Sequence, residues 1–235
     1  MTLLRLFLVR HGETQHNIEK RIQGPFLDDP LNARGLEQAA ALERRFAAAH
    51  AREGLRLAAV YSSPLKRAWM TAEHVARGAD APPPVRVAGL IEFSWGKYLG
   101  TREEGETLAA MKHYHARWSA GDVGLAVEGR TGTWDGESPA GAFERAWRDI
   151  GPILDQHRGD TLALVGHGRL FKILLGKLVA GDIARMDDHG QGNTAVSLIE
   201  HDATGPLDAG WRPVFINDTT HAAHLMRAPS TDALV

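Results

Sequence analysis

The period of the apolar positions changes several times along the chain. Residues 3–9 form a nearly continuous apolar run, Leu-Leu-Arg-Leu-Phe-Leu-Val. Such a run suits a strand buried on both faces, as in a parallel sheet covered by helices. Residues 15–30 are polar and rich in turn formers, which predicts a loop over the end of that strand. Asn32 stands as an N-cap before a helical period over residues 33–50, with Leu36, Ala39, Ala40 and Phe46 expected on the inward face. A second apolar run covers residues 57–61. It is followed by Ser62-Ser63-Pro64, where Ser63 as N-cap and Pro64 in the first helical position predict a helix start. The prolines Pro82, Pro83 and Pro84 precede a third strand at residues 85–87. Helices are expected over residues 103–119 and 138–157, separated by a glycine-rich loop at 120–137. A buried strand at 161–165 leads through Gly166-His167-Gly168 into a helix from 169 to about 179. Late strands are expected at 194–200 and 212–216, and residues 228–235 read as a loose tail.

Strands thus alternate with helices. That order predicts a three-layer α/β/α sandwich on a mostly parallel sheet. The 235 residues show no internal repeat and no interdomain linker, so a single domain over 1–235 is expected, with a lid-like insertion near 92–137.

Composition narrows the chemistry. Hydrophobic residues make up 43% and charged residues 24%, enough apolar material for a core able to hold a rigid site. The formal net charge is -2, so no bulk field draws the chain to nucleic acid or to an anionic membrane, and a bound anion must be held by local cations. There is no cysteine, which excludes disulfides, thiolate metal sites and every cysteine-nucleophile phosphatase mechanism. No stretch approaches the ~20 apolar residues of a membrane helix. The run at residues 3–9 lacks the basic leader and length of a signal peptide. A cytoplasmic protein without nucleic-acid or membrane partners is therefore expected.

Two histidines lie in matching contexts. His11 follows Leu6-Phe7-Leu8-Val9-Arg10 and His167 follows Leu162-Ala163-Leu164-Val165-Gly166; each sits just past a buried strand and just before a glycine. In open α/β sheets the ligand crevice lies at the carboxyl ends of the strands. If these two strands are neighbours, the histidines face each other there. Arg10 adjoins the first histidine, and Arg67 falls in the first turn of the helix after Ser63. Two arginines, two histidines and helix N-termini would make a phosphate pocket, since the planar guanidinium fork matches phosphate oxygens. The chain has 12 histidines, most of them ordinary structural or surface residues. Spacing alone therefore leaves a structural and a catalytic reading of His11 and His167 both open.

Arg10-His11-Gly12-Glu13-Thr14 resembles the signature of the histidine phosphatase superfamily, the phosphoglycerate-mutase-like family. The similarity continues through Gln23-Gly24, Asp29-Pro30-Leu31-Asn32 with Gly35 and Gln38-Ala39, Ser62-Ser63-Pro64-Leu65-Lys66-Arg67-Ala68 with Thr71-Ala72, and Leu90-Ile91-Glu92 with Gly96 and Gly100. Gly136-Glu137-Ser138 and Val165-Gly166-His167-Gly168 match two later motifs. The resemblance thus runs from about residue 3 to 200, with its motifs in the family's order. Two departures stand out. Tyr98 and Leu99 occupy places where the phosphatase branch often has tryptophan and glutamate, and Arg169 follows His167-Gly168.

The resemblance implies a phosphomonoester hydrolase acting on a small phosphorylated metabolite through a phosphohistidine, with no cofactor and no metal. His11 would be the nucleophile, kept neutral by Arg10 and Arg67, with its other ring nitrogen donating to a backbone carbonyl. Arg10, Arg67 and His167 would hold the non-bridging oxygens. Glu92 would protonate the leaving alkoxide and then take a proton from water. Asn17, Gln23 and Gly24 are expected at the substrate, although Asn17 equally suits a local turn cap. Trp95, Tyr98, Trp118 and Trp134 either line a specificity pocket or pack internally.

Three alternatives compete. A mutase of the same family would return the phosphoryl group to a second substrate hydroxyl. Such mutases carry Asn-Glu-Arg-His-Tyr-Gly around the acid, whereas this chain has Ile91-Glu92-Phe93-Ser94-Trp95-Gly96, which favours hydrolysis. A non-catalytic phosphate-binding module would use the same cations. A metallohydrolase could draw on His221 and His224 or on Asp187-Asp188-His189, though neither group has a full set of metal-ligand spacings. Neither the substrate nor the oligomeric state is written in the sequence.

Overall fold

The computed structural model describes residues 2–226, so the tail expected at 228–235 lies outside the described residues. The first apolar run becomes β1 (Leu3–Arg10), followed by a one-turn helix α1 (Gln15–Ile18) and the long helix α2 (Ala33–Glu53). Next come β2 (Ala59–Ser62), α3 (Lys66–Gly78), β3 (Val85–Arg86) and α4 (Gly105–Ser119). A small hairpin, β4 (Arg130–Thr131) and β5 (Trp134–Asp135), precedes α5 (Pro139–Gln156), β6 (Thr161–Gly166), α6 (Gly168–Leu178), β7 (Val196–Asp202) and β8 (Arg212–Asp218).

The main sheet has the order β3-β2-β6-β1-β7-β8. β3, β2, β6 and β1 pair in parallel; β7 runs antiparallel to β1, and β8 antiparallel to β7. Alternate side chains of β1 point to opposite faces. Leu4, Leu6 and Leu8 join a core cluster with Phe143 and Ile150 of α5 and Leu170 and Leu174 of α6. Phe7 and Val9 join a second cluster with Leu42 and Phe46 of α2 and Val75 of α3. Helices on both faces explain why β1 has no polar face. The expected mostly parallel α/β/α sandwich is the observed architecture.

Several local expectations are corrected. The inward stripe of α2 is Gly35, Gln38, Ala39, Leu42 and Phe46, whereas Leu36 is 42% exposed. Close approach sets that rotation: a Cβ on Gly35 would lie 2.1 Å from the Glu13 carbonyl oxygen, so only glycine fits where α2 passes the end of β1. The α3 N-cap is Leu65, not Ser63, and Pro64 precedes the helix. The Ser63 hydroxyl is engaged elsewhere, as described below. The segment 120–137 is not wholly irregular, because it carries the β4–β5 hairpin. Within residues 92–137, Trp95, Tyr98, Leu99, Met111, Tyr114, Trp118 and Val127 belong to the same buried cluster as Leu4 and Leu6. Among the described residues, no helix is long and apolar enough to cross a membrane.

Candidate phosphate site

The site forms where β1 and β6 end together. Their register pairs Arg10 with Gly166, and the His11 backbone N–H donates to the Gly166 carbonyl at 3.0 Å. His11 and His167 therefore leave the sheet at the same level. Their rings lie 5.2 Å apart between centroids, and both are buried, at 3% and 0% exposure.

Hydrogen bonds assign a tautomer to each ring. His11 Nδ1 lies 2.7 Å from the Gly12 carbonyl, which can only accept, so Nδ1 holds the proton and Nε2 keeps its lone pair. Burial, then the charges of Arg67 and Arg10, push the His11 pKa well below 6.5, so the ring is neutral near pH 7. His167 Nε2 lies 2.8 Å from Ser63 Oγ. The Ser63 oxygen accepts the Leu65 N–H at 3.3 Å, and its own proton is directed at Nε2. His167 then carries its proton on Nδ1, which has no hydrogen-bond partner among the described residues. Burial, followed by Arg67, His11 and Arg10, lowers its pKa well below 6.5 as well.

The arginines are fixed by carbonyls. Arg67, 1% exposed, donates from Nη1 to Leu27 O and from Nη2 to Gly24 O, both at 2.8 Å. Burial lowers its pKa to about 10, which leaves it cationic near neutrality. Gly24 has φ +51°, and a Cβ there would lie 2.3 Å from the Leu99 side chain, so glycine is required for this carbonyl to reach Arg67. Arg10 donates through Nη1 to the Gln191 carbonyl. The Nε atoms of Arg10 and Arg67 are buried without a partner among the described residues, like His167 Nδ1. Three unsatisfied buried donors thus belong to the three side chains around His11. Such donors are costly unless water or an anion completes them.

The Glu92 carboxylate sits against the start of α6, the helix that follows His167. Its Oε1 accepts the N–H groups of Phe93 (2.8 Å) and Leu170 (3.1 Å), and its Oε2 accepts that of Arg169 (3.3 Å). Orphan N–H groups of the first helical turn hold the carboxylate in place. The motif residue Glu137 supports this segment: it accepts the Ser94 N–H at 2.9 Å and pairs with Arg145 at 2.6 Å.

Arg10, His11, Asn17, Gln23, Gly24, Arg67 and Glu92 line one cavity. Asn17 forms the capping box of α1 with Thr14 and also lines the cavity. Of the four aromatic candidates, Trp95 lines the cavity, Tyr98 and Trp118 belong to the buried core, and Trp134 packs on it from the hairpin. Sequence reasoning did not foresee Arg21, Glu103, Met111, Lys172 and Gln191 in the cavity wall. Nor did it foresee Asn193, whose Nδ2 donates to the His11 carbonyl at 3.2 Å. These residues sit in segments without a motif and arrive by tertiary packing alone. Asp187 is bound to His115, Arg169 and Lys172. His221 lies 3.3 Å from both Arg45 and Thr194. No group of three or more His, Cys, Asp or Glu side chains that could hold a metal occurs among the described residues.

The buried neutral histidines make stability depend on pH. In the unfolded chain they titrate near 6.5, whereas His11 and His167 in the fold do so well below it. As pH falls through about 6.5 the unfolded chain takes up protons that the fold refuses. Stability present above that pH is then lost, by up to about 1.4 kcal/mol per pH unit for each histidine. Urea midpoints between about pH 8 and about pH 5 are expected to fall accordingly. A flat or rising midpoint on acidification would contradict the neutral assignment.

Comparison with known proteins agrees with this geometry. The family model described as Histidine phosphatase superfamily (branch 1) matches residues 6–214. Phosphoserine phosphatase 1 of Hydrogenobacter thermophilus is 27% identical over 197 residues, covering 84% of this chain and 86% of that protein. The "Probable phosphoglycerate mutase GpmB" of Escherichia fergusonii is 30% identical over 234 residues, 99% of each chain. Among solved structures, Bacillus stearothermophilus YhfR superposes with a TM-score of 0.70 at 28% identity, over 93% of this chain and 98% of that one. A mycobacterial glucosyl-3-phosphoglycerate phosphatase shares the fold with a TM-score of 0.72 at 22% identity, over 92% and 99%. With the family model spanning nearly its whole described length, the chain belongs to the histidine phosphatase superfamily, branch 1.

Proposed function

We propose that the protein hydrolyses a small phosphorylated metabolite in two steps through a phosphohistidine on His11, using its own side chains without a metal ion. The observation that carries this reading is the set of unpartnered buried donors, Arg10 Nε, Arg67 Nε and His167 Nδ1, around a neutral His11. These three donors can each meet one non-bridging oxygen of a phosphoryl group, and Gln191 Nε2, also buried without a partner among the described residues, adds a fourth donor in the cavity wall. In the first step His11 Nε2 attacks phosphorus, the P–O bond to the leaving group breaks, and Glu92, which must enter this step in its carboxylic-acid form, gives its proton to the departing alkoxide and is left as the carboxylate. In the second, Glu92 takes a proton from water, water oxygen bonds to phosphorus, the N–P bond breaks, and inorganic phosphate leaves.

The role of Glu92 is separable by leaving group. Glu92→Gln is expected to slow alkyl phosphates by about 100- to 10,000-fold. It should slow p-nitrophenyl phosphate far less, because that phenolate departs without a proton. Equal slowing of both classes would remove Glu92 from the acid position.

Names among the relatives favour a second reading, transfer to another substrate hydroxyl, since one is called a mutase and another a phosphatase. One assay decides: phosphate release from a panel of phosphomonoesters in EDTA, with 3-phosphoglycerate included and its isomer measured. Release without isomer is the expected result. Isomer without release would move the chain to mutase chemistry, and activity abolished by EDTA would end the metal-free reading.

A further inference from the structure

Gln191 lines the cavity, yet its amide oxygen has no part in the steps above. The residue is 6% exposed, and both polar atoms of its amide, Oε1 and Nε2, are buried without a partner among the described residues. The backbone fixes its position. The Gln191 carbonyl accepts Arg10 Nη1, and the Gly192 N–H donates to Asn217 Oδ1 at 2.8 Å. Further along, Asn193 Nδ2 and the Thr194 N–H both donate to the His11 carbonyl at 3.2 Å. Residues 191–194 are therefore braced against Arg10 and against the nucleophile.

The two amide atoms are opposite in polarity. A phosphoryl oxygen can take the Nε2 donor but repels Oε1, which only accepts. Rotating the amide by about 180° exchanges the two atoms and leaves one unpartnered acceptor all the same. The other amide oxygens of the wall are taken. Asn17 Oδ1 accepts the Thr14 N–H at 3.1 Å and Asn193 Nδ2 at 3.2 Å, and Gln23 Oε1 accepts the Thr14 hydroxyl at 3.1 Å. Of the two carboxylates in the wall, Glu92 acts electrostatically on both Arg10 and Arg67, whereas Glu103 acts on Arg10 and not on Arg67. Glu103 thus stands farther from the phosphoryl position.

Hydrolysis of a phosphohistidine needs such an acceptor. Water that attacks phosphorus in line must point a lone pair at it, so both its protons have to be held elsewhere. Glu92 takes one, and the second must find an acceptor among the donors of Arg10, Arg67 and His167.

We infer that Gln191 seats the water that hydrolyses the phosphohistidine, with Oε1 accepting the water proton that Glu92 does not take. The inference rests on the phosphoryl-transfer reading above and assigns its hydrolytic half. In that step the water oxygen bonds to phosphorus, one proton passes to the Glu92 carboxylate, and the N–P bonding pair returns to His11 Nε2. The second proton stays on the new phosphate oxygen, hydrogen-bonded to Oε1. Glutamine suits this place because it is neutral: it orients water without repelling the phosphoryl group as a further carboxylate would.

Rapid quench of full-length Gln191→Leu with p-nitrophenyl phosphate reads the two half-reactions apart. The burst rate is expected within about fivefold of wild type, since that step loses at most one neutral hydrogen bond, from Nε2. Decay of the phosphoenzyme should slow about 100-fold. The values of kcat and KM then fall together, while kcat/KM, which reports the first step, stays within about the same fivefold. The urea midpoint should hold or rise, because an apolar side chain of similar size replaces an unpartnered buried amide. Gln191→Met, unbranched like glutamine, is expected to repeat the pattern, and a full burst amplitude shows that each variant is folded. Phosphoenzyme that decays at the wild-type rate in both variants overturns the water seat. So does a fall in kcat/KM as large as that in kcat, the mark of a substrate contact or of a brace for Arg10. If the wild-type enzyme forms no phosphoenzyme, the phosphoryl-transfer reading itself has failed, and the seat with it.

Discussion

His11→Ala is expected to lower turnover by about 10,000-fold or more on every ester, with the protein still folded. The size follows from the removal of a covalent nucleophile, whose loss leaves only binding and electrostatic effects to act on water. His11 has the attributes the role requires. Its Nδ1 is tied to the Gly12 carbonyl at 2.7 Å, its Nε2 is therefore the basic nitrogen, and burial, then Arg67 and Arg10, keep the ring unprotonated. Loss of a ring that is costly to protonate should flatten the acid side of the stability profile. Retained activity at the wild-type level would remove the nucleophile assignment. Loss of activity together with loss of the cooperative unfolding transition would instead report misfolding, which circular dichroism of the variant distinguishes.

Arg67 carries the second large effect. Arg67→Lys keeps the charge but not the planar fork, so the Leu27 and Gly24 carbonyls and the Nε donor cannot all be served. Turnover is expected to fall about 100- to 1,000-fold, the usual result of losing one preorganised donor to a transition-state oxyanion. Arg67→Ala should add a stability loss of about 1–3 kcal/mol for each carbonyl left unpaired, read as a lower urea midpoint. If Arg67→Lys kept full kcat, the guanidinium would be a structural brace for the loop at residues 23–27 and no clamp.

What the sequence made legible follows from how local each signal was. The run at residues 3–9 was readable because a strand covered on both faces has no polar side, and Leu6 and Phe7 do point to opposite cores. His11 and His167 were readable because two buried strands each ended on His-Gly, and parallel pairing of β1 with β6 then brought them together. Asn32 was readable as a cap because its side chain accepts the Gly35 N–H three residues on, a contact that needs no tertiary partner.

The misreadings had the opposite character. Leu36 reads as core in any helical wheel, yet the close passage of Gly35 over Glu13 turns it outward. Ser63 fits an N-cap rule, but its hydroxyl does more at His167, 104 residues away in the chain. The ion pairs of α6 were invisible for the same reason: only the packing of α4 and of the short helix at 183–188 brings His115 to Asp187 and Asp187 to Lys172.

The central claim is that phosphate passes through His11, and rapid quench of the enzyme with p-nitrophenyl phosphate tests it most directly. An ester with a good leaving group makes phosphoenzyme formation fast relative to its hydrolysis. The account predicts a burst of p-nitrophenol stoichiometric with enzyme, and an acid-labile phosphoryl group that mass spectrometry places on the peptide containing His11. Turnover without any phosphoenzyme, or a phosphoryl group on another residue, would contradict it.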